Sequence, residues 1–185
     1  MKMMIAALAC AASAAAAPAG AATGLVSQSE QRAPAAAPAP GAASNLGYFV
    51  GQWDISATDP VSGTSERFSY EVRPLVGSAW ISGRGRSEDM RQESSDVWGL
   101  DAASGELMRI VFDGSGTYAI VRSTGWQGPR LVLEGDARSA GGVVRVRETI
   151  TRLSDDAFTA TWEAYRSGAW SVYSVEQVRR REGRG

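Results

Sequence analysis

Residues 143–179 read VVRVRETITRLSDDAFTATWEAYRSGAWSVYSVEQVR, and this stretch decides the fold. Apolar and polar residues alternate in three runs, at approximately 143–153, 157–166 and 169–179. The breaks between the runs consist of turn-forming Ser, Asp and Gly residues. Alternation with a period of two predicts strands with one buried face, and short breaks of this composition predict hairpins. We therefore expect three consecutive antiparallel strands here.

The same alternation extends upstream to residue 45. Seven further runs lie at approximately 52–58, 65–74, 78–86, 93–101, 105–113, 117–125 and 130–137. No long helical period competes with them, although a short helical turn is expected at Asn45 to Gly51. Sequential antiparallel strands leave two open edges unless the sheet closes on itself. The sequence predicts an all-β fold, a single antiparallel up-and-down β-barrel of about ten strands with some interior space.

The chain before this region has a different composition. Lys2, a short apolar run and small residues predict a cleaved signal peptide over residues 1–22. Residues 23–44 are rich in Ala and Pro and predict a flexible linker. The barrel is expected at 45–181 and a short tail at 182–185. The signal peptide predicts a periplasmic or secreted protein. Cys10 is poorly placed for lipid attachment, so we do not expect a lipoprotein.

The composition excludes several kinds of chemistry. The chain has no His and one Cys, which excludes a Ser-His-Asp triad, a Cys-His pair and His- or Cys-ligated zinc. Charge is nearly balanced, at 19 basic against 20 acidic residues, so no nucleic-acid partner is indicated. The leader's apolar run is too short to span a bilayer, so the mature chain is expected to have no integral membrane segment. We predict no catalytic residue, no metal site and no cofactor, and the sequence does not indicate the oligomeric state.

Polar side chains that share a face with apolar residues are the candidate ligand-binding residues. They are Tyr70 on the second run, Tyr118 and Arg122 on the sixth, Glu148 on the eighth and Trp162 on the ninth. Buried charges need each other, water or a polar ligand, so we expect a pocket for a small hydrophobic or amphipathic molecule. Two alternatives stay open at this point. Arg122 and Glu148 could face water at strand ends, and a one-residue slip would put Arg147 inside in place of Glu148.

Two rival functions follow from the same residues. The protein could be a non-metal isomerase or hydrolase, with Glu148 or Glu163 as base and Tyr118 as acid. It could instead be an envelope protein-interaction module with a filled barrel. An exposed aromatic patch that includes Trp80 or Trp126 would favour the second of these.

Three motifs resemble those of a known group of barrels. They are residues 46–53 (LGYFVGQW), residues 98–101 (WGLD) and residues 178–180 (VRR). Together they resemble the calycin, or lipocalin-like, barrels, in particular the bacterial domain of unknown function 1579 family, over nearly all of residues 45–181.

The resemblance implies a barrel plug and a function. In such barrels the tryptophan of the first strand plugs one end, and an Arg of the final strand lies over its ring. Here that tryptophan is Trp53, two residues after Gly51. Arg179 or Arg180 could fill this role, and we assign it to Arg179. Related barrels that bind haem supply a His ligand, which this chain lacks, so no haem site is carried over. The expected function is reversible binding of a small, partly apolar ligand.

Overall fold

The structure, a computed structural model, describes residues 45–76 and 79–182. The predicted signal peptide and linker lie outside the described residues, as do residues 183–185 of the predicted tail. A 3-10 helix spans Asn45–Phe49. The strands that follow are β1 (Gly51–Thr58), β2 (Ser65–Val76), β3 (Trp80–Ser87), β4 (Glu93–Leu100), β5 (Leu107–Asp113), β6 (Tyr118–Ser123), β7 (Trp126–Gln127), β8 (Arg130–Ser139), β9 (Gly142–Ser154), β10 (Ala157–Arg166) and β11 (Ala169–Arg180).

The strands form one closed antiparallel sheet. Consecutive strands pair from β1 to β6 and from β8 to β11, β1 pairs with β11, and β6 pairs with β8. The two-residue strand β7 pairs only with the start of β8, so ten strands make the barrel wall. The predicted up-and-down barrel of about ten strands is therefore confirmed. The short helical turn expected before the first strand is the 3-10 helix.

Short hairpins and the 3-10 helix define two different ends of the barrel. At one end β1 begins at Gly51 and β11 finishes at Arg180, and the 3-10 helix lies beside them. We call this the helix end. At the other end short turns join β1 to β2, β3 to β4, β5 to β6, β8 to β9 and β10 to β11, and we call it the hairpin end.

Alternating side chains fill the barrel as the sequence predicts on four strands. The inward faces of β2, β8, β9 and β10 are those expected, and their most buried members are Phe68, Val72, Leu131, Leu133, Val146, Glu148, Ile150, Phe158, Ala160, Trp162 and Ala164. Glu148 is therefore inside, and Arg147 lies on the outer face, where it pairs with Glu163. This settles the register of β9.

The predicted inward face of β6 is wrong. Ala119 and Val121 are fully buried, whereas Tyr118 and Ile120 are 38% and 37% exposed. Both faces of this strand carry apolar residues, so hydrophobicity alone does not choose between them. The neighbouring inward position on β5 holds the long side chain of Arg109, whose register partner is Val121. The smaller side chains therefore face the interior, because they leave room for it.

An irregularity interrupts the pairing of β10 with β11. Trp162 pairs with Ser174 and Glu163 pairs with Val172, so Tyr173 is an extra residue on β11. Such a bulge changes which face the residues on either side of it present. Beyond it, Ser174 and Glu176 are buried inside the barrel.

Candidate binding site in the barrel interior

Four ionisable side chains meet in the middle of the barrel. Arg109 of β5, Asp96 of β4, Glu148 of β9 and Glu176 of β11 are 6%, 2%, 2% and 3% exposed. Each occupies an inward position in its strand's alternation, between apolar or aromatic neighbours. The fold therefore places an ionic cluster where an apolar core would otherwise lie.

The guanidinium of Arg109 is held on all sides. Its Nε and Nη2 donate to Oδ2 of Asp96 at 3.0 and 2.5 Å, and its Nη1 donates to both carboxylate oxygens of Glu148 at 2.5 and 2.6 Å. The group lies 4.1 Å from the ring centroid of Trp98 and 5.7 Å from that of Trp162. Paired carboxylates and aromatic faces are the surroundings in which a buried guanidinium is stable.

Tyr70 also belongs to the cluster, and a neighbouring glycine leaves room for its contact with Asp96. Its hydroxyl donates to the Asp96 carboxylate at 2.7 to 2.9 Å. Gly83 of β3 lies beside this contact, and a Cβ there would collide with both the Tyr70 hydroxyl and the Asp96 carboxylate. Burial, and then the charge of Asp96, raise the pKa of Tyr70 well above its usual value, so its hydroxyl stays a donor.

The charges in the cluster set one another's protonation. Burial on its own would lower the pKa of Arg109, but the charges of Glu148 and Asp96 raise it well above its usual value. Burial also raises the pKa of Glu148, although the charge of Arg109 opposes this. Arg109 is therefore a permanent cation. Its two carboxylate partners together more than neutralise its single positive charge.

Glu176 is the carboxyl group that Arg109 does not pair with. Burial, followed by the charge of Glu148, raises its pKa from 4.5 to about 8, while Arg109 and a hydrogen bond from Ser174 offset this only in part. Its Oε1 atom has no hydrogen-bond partner. At neutral pH Glu176 is mostly a neutral acid inside the barrel.

A small cavity adjoins the cluster. It has a volume of about 40 Å³, and among its walls are Asp96, Arg109, Glu148 and Glu176. The apolar walls are Phe49, Ile55, Phe68, Trp98, Val111, Ile150, Phe158, Ala160 and Val178. Towards the hairpin end the lining reaches Ser94 and Asp113, both half-buried. A single water needs about 10 to 15 Å³ of such space, so the cavity has room for a few waters or a small polar group.

Three buried polar atoms in the described part of the chain have no hydrogen-bond partner. They are Nε1 of Trp98, Nε1 of Trp162 and Oε1 of Glu176, and all three residues belong to this region of the interior. Buried polar groups are almost always satisfied, so a cluster of exceptions calls for a bound group to satisfy them. Trp98 and Glu176 line the cavity itself. The cavity therefore offers an unused acceptor at Glu176, whereas the Trp98 N–H lies near the Tyr70 hydroxyl and acts to lower the pKa of that group.

The structure brings together three of the five predicted ligand-binding residues. Tyr70, Glu148 and Trp162 all belong to the cluster. Tyr118 and Arg122 do not, since both lie on the outer face of β6. There Arg122 Nη1 donates to Oδ2 of Asp101 at 2.8 Å. The expectation that these two residues reach the interior is wrong because β6 presents its other face.

Residues at the helix end surround Trp53, which is 1% exposed. Its Nε1 donates to the carbonyl of Phe49 at 2.8 Å, and the guanidinium of Arg180 lies 4.1 Å from its ring centroid. Arg180 also donates to the carbonyls of Val50 and Tyr48 and to Asp156, at 2.8, 3.0 and 2.9 Å.

The arginine that stacks on Trp53 is not the one assigned from the sequence. Arg179 is exposed on the outer face of β11, because inward and outward positions alternate and Val178 is buried. Arg180 is the last residue of β11, where its side chain turns over the barrel end. Gly51 has a φ of +137°, and a Cβ there would collide with Arg180. A glycine is therefore required beside the stack.

The comparisons with known proteins concern the fold. No known protein family matches the chain, and no curated protein matches it. A de novo designed fluorescence-activating β-barrel is 19% identical with a TM-score of 0.42, over 75% of this chain and 98% of that one. A redesigned β-barrel is 13% identical with a TM-score of 0.36, over 76% of this chain and 97% of that one.

The described residues also bear on the rival functions. Glu163 lies on the outer face of β10 and Tyr118 on that of β6, so neither meets Glu148 inside the barrel. Trp126 packs against Phe49 with 6.0 Å between ring centroids, and Trp80 covers Gly99. No helix in the described ranges is long and apolar enough to cross a membrane.

Sequence reasoning missed Arg109, Asp96 and Glu176. The signal was present, since Arg109 falls between Leu107 and Val111 in strict alternation, and Glu176 precedes Val178 by two residues. The alternation of inward and outward positions along β4, β5 and β11 identifies these residues. On β11 the phase holds only from Ser174 onward, because the bulge at Tyr173 breaks it.

Proposed function

We propose that this barrel reversibly binds a small, partly apolar ligand whose polar end enters the interior cavity. The observation that carries the proposal is the unsatisfied Oε1 of Glu176 on the wall of a cavity that the ionic cluster and apolar side chains line together. Binding pockets typically combine apolar walls with a few convergent polar groups. The ionic cluster would then fix the orientation of the ligand.

The size of the cavity limits what can enter. Pockets for drug-sized molecules have volumes of about 300 to 1,000 Å³, far above the 40 Å³ found here. The polar end of a ligand fits the cavity, whereas a longer body must extend along the apolar wall towards Ser94 and Asp113 at the hairpin end. The ligand we propose is therefore slender, with one polar end.

A titration with simple probes tests this proposal. Intrinsic fluorescence is followed while 1-hexanol, hexanoate and hexylamine are added, because Trp98 and Trp162 lie beside the cluster and report on it. At least one probe should give a saturable change. Ala160→Val fills the cavity that Ala160 lines and should abolish the response.

The matched control is Thr161→Val, a similar change on the outer face of β10, which should leave the titration unaltered. Native mass spectrometry of protein purified from its own host provides a second readout, as a retained small molecule. If no probe gives a saturable response and no molecule is retained, interior binding is ruled out.

A second candidate function is an envelope protein-interaction module. The small cavity favours it, and so do three large apolar side chains on the outer face of β5 and β6. Phe112, Tyr118 and Ile120 are 43%, 38% and 37% exposed, and Phe112 pairs with Tyr118. Replacing all three with Thr should abolish pull-down of a partner from an envelope extract if this face binds one. The same triple variant should leave the probe titration unchanged if the interior is the site.

We further propose that the protein is exported and belongs with the lipocalin-like barrels. The leader pattern of residues 1–22 supports export. The stack of a last-strand arginine, Arg180, on a first-strand tryptophan, Trp53, supports the family resemblance. Amino-terminal sequencing of the mature protein from its host tests export, since removal of the leader near residue 22 is expected.

A further inference from the structure

We propose that the ligand carries a positive charge: an alkylammonium, or a similar protonated nitrogen on a short apolar body, with its cation beside Glu176. This inference rests on the interior binding function proposed above and names the chemical class of its ligand. It follows from the charges, contacts and walls of the cavity.

The first step is the charge balance of the cavity wall. The lining contains four acidic side chains, Asp96, Asp113, Glu148 and Glu176, and one basic side chain, Arg109. Asp113 lies half-buried towards the hairpin end, and the other three lie deep in the barrel. A guest that enters past Asp113 meets three further acidic side chains at the cluster. Such a path attracts cations and repels anions.

The second step is that Arg109 cannot serve Glu176. Its Nε and Nη2 are engaged by Asp96 and its Nη1 by Glu148, all within 3.0 Å. The unpartnered Oε1 of Glu176 is an acceptor for which the described residues supply no donor. An ammonium group has three donors and no acceptor, which matches this need.

The third step excludes the opposite charge. An anionic ligand would find two neutral donors on the wall, the Nε1 of Trp98 and the acid proton of Glu176. Against these two donors stand the carboxylates of Asp96 and Glu148. Like charges in a poorly solvated site cost several kcal/mol, more than two neutral hydrogen bonds return.

The walls suit the rest of such a ligand. Phe68 and Phe158 line the cavity, and aromatic faces attract organic cations. Ile55 and Val111 provide aliphatic surface for a short chain. The site therefore combines acidic groups with an apolar wall, the complement of an amphipathic amine.

Binding a cation should release a proton from Glu176. Its register partners on the neighbouring strands are Ala57 and Ala160, so no titratable group flanks it there. The ionisable groups that face it are Glu148, Arg109, Asp96 and Tyr70 across the interior, with Tyr173 on its own strand. Its pKa of about 8 keeps it protonated at pH 7 in the empty site, and an adjacent ammonium would lower that pKa.

Isothermal titration calorimetry with probes of equal chain length tests the inference. Hexylamine, 1-hexanol and hexanoate share one apolar body and differ only in charge. At pH 7 hexylamine should bind about tenfold or more tightly than either of the others. Titrations in buffers of different ionisation enthalpy should show close to one proton released per hexylamine bound, and none with 1-hexanol.

The decisive variant is Glu176→Gln, which keeps the shape of the neutral acid and removes its capacity to ionise. It should weaken hexylamine by about tenfold and abolish proton release, and its effect on 1-hexanol affinity should be much smaller than its effect on hexylamine. The matched control is Glu163→Gln on the outer face of β10, where none of these values should change. Thermal unfolding of both variants confirms that they are folded.

The outcomes separate this inference from the function on which it rests. If hexanoate or 1-hexanol binds as tightly as hexylamine, or if Glu176→Gln binds hexylamine as the unaltered protein does, the cationic preference is overturned and interior binding survives. If no probe binds saturably, interior binding itself fails. Tighter hexylamine binding with proton release that depends on Glu176 supports both.

Discussion

The barrel contains two arginines stacked on tryptophans at the same distance, yet the two sites differ in burial and in their remaining contacts. Arg180 lies 4.1 Å from the ring of Trp53 at the helix end, and Arg109 lies 4.1 Å from that of Trp98 in the middle. Arg180 donates to the carbonyls of Val50 and Tyr48 and to the exposed carboxylate of Asp156. Arg109 donates only to buried carboxylates, and a third carboxyl group nearby has no cation.

This difference distinguishes the structural closure of the helix end from the candidate binding site in the interior. At the helix end two backbone carbonyls and the exposed Asp156 carboxylate satisfy the cation, and the Trp53 N–H is also bonded. In the middle, donors and acceptors remain unused beside a cavity. Structural ionic groups are normally fully satisfied, and unsatisfied ones mark functional candidates. The cation–π stack alone does not distinguish the two sites. The other contacts of each arginine, and the polar groups left without a partner beside it, do.

The largest effect is expected from removing the central cation. Arg109→Met leaves Asp96 and Glu148 buried without a partner and should lower the free energy of unfolding by about 3 to 5 kcal/mol at pH 7. The deficit should shrink at acidic pH, where the carboxylates are protonated. Urea unfolding measures both. Arg122→Met, which breaks a surface ion pair, is the control and should cost less than about 1 kcal/mol.

A second effect concerns the pH dependence of stability. The unfolded chain releases the Glu176 proton near pH 4.5, whereas the folded protein holds it up to about pH 8. In that window the folded state binds more protons, so this residue makes stability fall as the pH rises. Glu176→Gln should therefore be more stable than the unaltered protein by about 4 kcal/mol at pH 8, and nearly equal to it at pH 4.5. An equal difference at both pH values would show that Glu176 ionises normally.

The smallest effect compares neighbouring arginines at the helix end. Arg180→Ala loses the stack on Trp53 and the bonds to Val50 and Tyr48, and should cost about 2 kcal/mol in urea unfolding. Arg179→Ala removes an exposed side chain and should stay within about 0.5 kcal/mol. Equal losses for the two variants would contradict the assignment of Arg180 as the stacked residue.

Strand positions were predictable from the sequence because the alternation and the turn residues agree with each other. The runs at 143–153, 157–166 and 169–179 match β9, β10 and β11 to within a residue. The inward placement of Glu148 was also predictable, since it shares a face with Val146 and Ile150. Local patterns suffice where one face of a strand is clearly more apolar than the other.

The rest of the site depends on features that no single strand reveals. On β6 both faces are apolar, and Arg109 of the adjacent strand decides which one turns inward. The choice of Arg180 over Arg179 depends on where β11 ends relative to the 3-10 helix. The pairing of Arg109 with Glu148 joins residues 39 positions apart and follows only from closure of the barrel.

The extra residue Tyr173 has a consequence for how this protein tolerates change. It resets the phase of β11, so the carboxyl group of Glu176 points inward while Trp170, six positions earlier, lies outside against Arg147. Deleting that one residue would restore a regular ladder and turn part of the strand over, and either the acid or the outer tryptophan would change sides. The number of residues in this part of β11 therefore matters more than the identity of residue 173. In related chains we expect substitutions at this position to be tolerated better than insertions or deletions.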